Sequence, residues 1–123
     1  MFKLEPLDRY VTHDEQIQEQ SDEPVILVNI FQVDLEHADE FVAKWGEIVR
    51  TFKHLDGFIS SQFHRGTAGS GTFLIYSVWE SVAHYRDVFS NPDFQGMTPD
   101  YPDGTVARPH LFRKMAIENV CVA

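Results

Sequence analysis

The sequence predicts an α+β fold in which helices cover one face of an antiparallel sheet. Residues 25–33 (VILVNIFQV) form a β-branched apolar run that suits a strand buried on both sides. Residues 38–52 place Ala38, Phe41, Val42, Trp45, Ile48, Val49 and Phe52 on one face of a helix of roughly five turns. Two further strand-like runs, FISSQFHR and TFLIYSVWE, flank the glycine-rich GTAGSG in the manner of a hairpin. A chain of 123 residues has room for one core, and 43% hydrophobic content with 10 Phe, 4 Tyr and 2 Trp favours a packed or aromatic-lined interior over disorder.

Taken in order, residues 1–23 form an acidic extension. Lys3 and Arg9 stand there against Glu5, Asp8, Asp14, Glu15, Glu19, Asp22 and Glu23. Only Ile17 can anchor residues 12–23, which read as a flexible or loosely helical lead-in. Phe2, Leu4, Leu7, Tyr10 and Val11 are suited to docking as an arm on a neighbouring molecule, the alternative being a frayed terminus. After the first long strand, Asp34 is the expected N-cap of the helix, with Glu36, Asp39 and Glu40 near the positive end of its dipole. Asp56-Gly57 is the expected stop. Residues 58–65 and 72–80 are the next two strands. Ser81 caps a second helix running to Phe89, with Val82 and Tyr85 on its apolar face. Asn91-Pro92 starts a short third helix around Phe94. Residues 98–104 are loop, and 110–117 the last strand. The order β-α-β-β-α-(α)-β is that of a split βαβ, ferredoxin-like sheet. Its uncovered face carries Ile26, Val28 and Ile30, and an apolar face of that size predicts a homodimer packed sheet to sheet.

Several function classes are excluded at this level. A formal charge of −9 argues against nucleic acid and anionic membranes, both of which require a basic surface. The single cysteine, Cys121, rules out an intramolecular disulfide and fits a reducing compartment, so a cytoplasmic location is expected. It has no evident activating partner. The longest apolar run is far below the ~20 residues of a membrane span, and no apolar signal region follows the N-terminal basic residue. The glycine run lacks the Lys-Ser/Thr of a phosphate loop, and the histidines show no metal-binding spacing.

The runs PVILVNIFQV, LDGFISSQFHR and YSVWESVAHYRDVFSNPDF resemble the antibiotic biosynthesis monooxygenase family over residues 24–117, with 118–123 as a tail. The resemblance implies a dimeric α+β barrel whose pocket, between sheet and helices, brings an aromatic quinol- or anthrone-like substrate to molecular oxygen without cofactor or metal. An electron-rich phenolate can itself reduce oxygen. The protein must then supply an apolar enclosure, an acceptor for the acidic proton and donors for the developing oxyanion. By the same resemblance His64, Trp79 and Tyr85 stand at the catalytic positions and Arg86 follows the tyrosine. Phe31, Phe41, Trp45, Ile75, Arg86 and Phe89 are expected around the substrate. The family type has an asparagine where this chain has Ile75, so Asn29 is the amide that would replace it.

Asn29 carries its own argument, because an amide in an apolar strand costs on the order of 1–3 kcal/mol unless it is hydrogen-bonded. Each of the other three has a plainer reading: Trp79 as core, Tyr85 as packing with a polar tip, His64 as an exposed strand end. A haem-degrading branch shares the strand-one asparagine. It would need a tryptophan at Val88 and a ligating histidine at Met97 or Thr98, and without that ligand the main hold on haem iron is lost. Two further readings use the same scaffold: a non-catalytic barrel binding a small hydrophobic ligand, as in a stress response, and an isomerase or decarboxylase. The monooxygenase reading requires Asn29, His64 and Trp79 to share one chamber.

Overall fold

The computed structural model describes residues 2–91 and 100–123. The apolar run of residues 25–33 becomes β2 (Val25–Gln32), at the centre of a five-stranded sheet. Its neighbours are β4 (Thr72–Trp79) and β5 (Val106–Phe112), both antiparallel to it. On the far side of β4 lies β3 (Phe58–Arg65), also antiparallel. A two-residue strand, β1 (Lys3–Leu4), adds in parallel to the outer edge of β5, giving the order β1-β5-β2-β4-β3. Without β1 this is the ferredoxin-like split βαβ arrangement expected from the element order.

Helix α2 (Ala38–Phe52) and helix α3 (Val82–Asp87) cover one face. Alternation along β2 sends Val25, Leu27, Asn29 and Phe31 toward that face, and β4 adds Phe73, Ile75, Ser77 and Trp79. Two buried clusters result. One gathers Trp79, Val82, Tyr85 and Val88 beneath α3; the other gathers Phe31, Phe41, Phe73 and Ile75 beneath the first half of α2. Asn29 lies between them along β2. Fully burying a side chain such as Phe41 (0% exposed) contributes about 2–3 kcal/mol.

Several boundaries differ from the sequence reading. A 3-10 turn (Leu35–His37) precedes α2, and the Asp34 carboxylate makes no capping hydrogen bond. Helix α2 ends at Phe52, and Gly57 (φ +85°) instead turns the chain into β3, where a Cβ would overlap the His84 ring. Ser81 caps α3 as expected, accepting from the His84 backbone N–H. The last strand starts earlier than 110 and ends at Phe112, with Pro109 inside it. Leu111 N–H points to the outer edge of β5, where it donates to Gln16 Oε1 at 2.9 Å. Two residues earlier, position 109 has the same orientation, so its missing N–H removes no bond to β2. Downstream, Ile117 and Cys121 form an isolated bridge around a tight turn. The third helix expected at Asn91-Pro92 and Phe94, and the start of the 98–104 loop, lie outside the described residues.

The acidic extension makes a series of contacts within its own chain. Thr12 and Glu15 form a capping box on the single turn α1 (His13–Gln16). The Gln16 amide pairs with both backbone groups of Leu111, as a strand residue would, and so covers part of the β5 edge. Arg86 donates to Ile17 O at 2.8 Å, Arg113 pairs with Glu19 at 3.0 Å, and His13 Nε2 lies 2.8 Å from the Tyr85 hydroxyl. Desolvation holds His13 below its ordinary value of 6.5. Neighbouring Asp14 opposes that shift and His110 adds to it. Because the unfolded chain binds this proton more readily, the contact's contribution is present above about pH 6.5 and fades as pH falls below it. Amide-exchange protection of residues 13–17 is therefore expected to drop between pH 7.5 and 5.5 in the wild type and to stay flat in His13→Asn. Equal pH dependence in both proteins would contradict this assignment.

Candidate functional site

Between the sheet and α2 lies an apolar cavity of about 180 Å3. Strand β2 supplies Leu27, Asn29 and Phe31 to its floor, and β4 supplies Ile75 and Ser77. Helix α2 roofs it with Trp45, Ile48, Val49 and Phe52, and β3 adds Phe58 and Ser61. The remaining wall is Ala107 of β5, Tyr101 of the preceding loop, and Phe2 and Leu4 at the N-terminus. Trp45 is held in place by stacking on Phe63, with ring centroids 4.3 Å apart.

The polar content is small and specific. Asn29 Oδ1 is buried and has no hydrogen-bond partner among the described residues. An acceptor left in that state costs about 1–3 kcal/mol. Ser77 Oγ accepts a hydrogen bond from Trp79 Nε1 at 3.3 Å, which leaves the Ser77 hydroxyl hydrogen available as a donor. Ser61 is paired in register with Ser77 across β3 and β4. Tyr101 is the one titratable group in the described lining, and burial pushes its phenol far above the ordinary value of 10.0, so it stays neutral and can donate. The site therefore offers one unmet acceptor and a few neutral donors in a greasy enclosure.

Of the residues singled out in the sequence, Asn29, Phe31, Trp45 and Ile75 meet in this cavity. Trp79 does not line it. Its indole is 1% exposed, packs against Phe58 and Tyr85, and reaches the cavity only through Ser77. Tyr85 is buried beneath α3 with its hydroxyl on His13, and burial likewise raises its phenol. Phe41 sits in the core among Phe31, Phe73 and Tyr101. Arg86 is spent on the N-terminal segment, and Phe89, partly exposed, packs on Tyr85 and His13.

His64 is on the opposite face of the sheet. It pairs in register with Leu74, donates from Nδ1 to Leu74 O at 3.3 Å, and borders an open concavity with Gln62, Thr72 and Tyr76. The cause is a register shift in β3 between Phe58 and Ser60. Counting by twos from the cavity residue Phe58 would bring His64 inside. The bulge inverts that parity, so Ser61 and Phe63 face α2 instead. The single chamber holding Asn29, His64 and Trp79 is thus not formed. Val88, the position of interest for haem, is 3% exposed in the core beneath α3, and Met97 and Thr98 lie outside the described residues. Among the described residues no three His, Cys, Asp or Glu side chains converge as metal ligands, and no helix is long and apolar enough to cross a membrane.

The sequence profile of the antibiotic biosynthesis monooxygenase family matches residues 24–98. The chain belongs to that family. No curated protein matches it by sequence. Among solved structures, it is similar to SnoaB, a cofactor-independent oxygenase from Streptomyces nogalater, with a TM-score of 0.69 at 18% identity over 79% of this chain and 98% of that one. A protein from Shewanella loihica PV-4 aligns with a TM-score of 0.66 at 20% identity, covering 80% and 100%. One from Methanosarcina mazei Go1 aligns at 0.65 and 14%, covering 76% and 95%. At these identities the likeness establishes the fold. The family match spans residues 24–98, so Phe2 and Leu4 before it and Tyr101 and Ala107 after it are cavity-wall residues outside the match.

Proposed function

We propose that this antibiotic biosynthesis monooxygenase family member oxidises a small, electron-rich phenol or quinol with molecular oxygen in the α2 cavity, without a cofactor, and that Asn29 anchors the substrate hydroxyl. The orphaned Asn29 Oδ1 carries the reading. A phenolic O–H is the group that satisfies a buried neutral acceptor while the attached ring fills the apolar space around it. Cavity size supports the substrate class. An apolar cavity of about 150 Å3 holds a benzene-sized ring, so about 180 Å3 with an open mouth accommodates one ring or two fused ones.

The chemistry requires little from the protein beyond placement. A phenol donates electrons to dioxygen, a C–O bond forms at the carbon para to the hydroxyl, and the O–O bond breaks. One oxygen atom remains as the second quinone carbonyl, and the other leaves as water with the two hydrogens lost from the phenol. Asn29 fixes the ring, while the Ser61, Ser77 and Tyr101 hydroxyls are the donors available to the oxygen-derived anion. The version of the oxygenase reading that needs His64 and Trp79 beside Asn29 is not the one proposed, because His64 lies across the sheet and Trp79 sits behind Ser77; this scheme uses Asn29 and the hydroxyl donors only. A second reading, ligand binding without turnover, is favoured by one observation: no group in the described lining titrates near neutrality.

Oxygen uptake with a panel including 1,5-dihydroxynaphthalene decides between them. The expected result is one quinone formed per dioxygen consumed, a loss of kcat/KM on the order of 10²–10³ in Asn29→Ala, and near-wild-type rates in His64→Ala. Tight binding of the panel with no uptake would replace the oxygenase by the binding reading.

The open face of the sheet supports a second part of the proposal, a homodimer. Val28 and Ile30 of β2 and Leu74, Tyr76 and Val78 of β4 form a continuous, partly exposed apolar surface there, which the buried Ile26 extends at one end. Sedimentation equilibrium at micromolar concentration is expected to give twice the mass of 14.2 kDa, and a monomer would contradict it.

A further inference from the structure

The N-terminal extension lies outside the matched family region, residues 24–98, yet it builds part of the cavity. Phe2 is half-buried, lines the cavity and meets the Tyr101 ring edge-on with centroids 5.2 Å apart. Leu4, 68% exposed, stands at the mouth. The segment carrying them is fastened on both sides. Lys3 N–H donates to Thr105 O and Glu5 N–H to Ala107 O, each at 2.9 Å, and Glu5 pairs with Arg108 at 2.6 Å. Further along, the Gln16 amide holds both backbone groups of Leu111. A frayed terminus would show none of this. These bonds fix the position of one aromatic ring against the ligand space.

We infer that the N-terminal segment is the size-selecting wall of the site: Phe2, packed on Tyr101, limits the cavity to ligands of one or two rings, and Gln16 acts as a positioning residue that keeps the segment on β5. The inference rests on the phenol-binding reading of the cavity. It adds that ring-number selectivity is written in residues outside the family's matched region. Phe2 directly precedes the two-residue edge strand β1 and packs on the rim of the cluster around Phe31 and Phe41, so replacing it removes one side of the cavity while leaving the sheet and the fully buried members of both clusters in place.

Titration of phenol, 1-naphthol and anthrone into the full chain, followed by quenching of the cavity residue Trp45, tests this. The wild type is expected to bind 1-naphthol at least tenfold more tightly than anthrone. Phe2→Ala is expected to bind anthrone at least tenfold more tightly than the wild type does, and Phe2→Trp to weaken 1-naphthol about tenfold while retaining phenol. Gln16→Ala, which removes no cavity atom, shifts the ranking in the direction of Phe2→Ala. The same ring-number ranking in all four proteins would overturn the size-selecting role alone. Failure of every protein to bind any of the three compounds would overturn the cavity reading and this inference with it.

Discussion

The central constraint of this structure is a single amide oxygen in the middle of an apolar strand. Asn29 occupies the central strand with Leu27 and Phe31 on either side of it, and nothing among the described residues hydrogen-bonds its Oδ1. Against a typical domain stability of about 5–15 kcal/mol, a deficit of about 1–3 kcal/mol is not small. A chain needing only a core would place leucine or valine there, as it does two residues earlier. The two buried clusters flank that position, and the cavity is the space left between them. Enclosure, aromatic lining and unmet polarity therefore coincide at one point.

Strand parity decides which side chains can act together. The helix-covered face receives Asn29, Ile75, Ser77 and, through the bulge in β3, Ser61. The open face receives His64, Leu74 and Tyr76. A sheet is an effective partition: a side chain on one face has no route to the other. The described lining of the cavity consequently carries no charged side chain and the histidine is outside it, so that lining offers hydrogen bonding to neutral groups rather than proton abstraction by imidazole. Trp79 acts at one remove, since its indole N–H occupies an acceptor site on Ser77.

Much of this fold was legible in the sequence because its signals are local. Residues 58–65 and the 66–71 loop were read correctly from β-branched and aromatic alternation interrupted by glycine, and Ser81 announced α3 through its capping chemistry. Asn29 stood out as a polar residue in an otherwise apolar run. Ser61 and Ser77 gave no such contrast, because serine is as common on a wet strand face as in a pocket. His64 was offered as a catalytic residue by family resemblance and as an exposed strand end by its own surroundings; its face could not be read from FISSQFHR, because a one-residue bulge leaves no mark in that alternation yet reverses every residue after it. The mooring of the N-terminal segment was invisible for a different reason. His13 with Tyr85, and Gln16 with Leu111, join residues 72 and 95 positions apart, and no periodicity reports such pairs.

The account stands or falls on whether Asn29 is kept for a ligand at the expense of the empty fold. Denaturant unfolding of Asn29→Leu, without ligand and then with 1-naphthol, measures this directly. The account predicts a ligand-free variant about 1–3 kcal/mol more stable than the wild type, together with loss of the stabilisation that 1-naphthol confers on the wild type. A variant that is destabilised when empty, or that is stabilised by 1-naphthol as much as the wild type is, would contradict it.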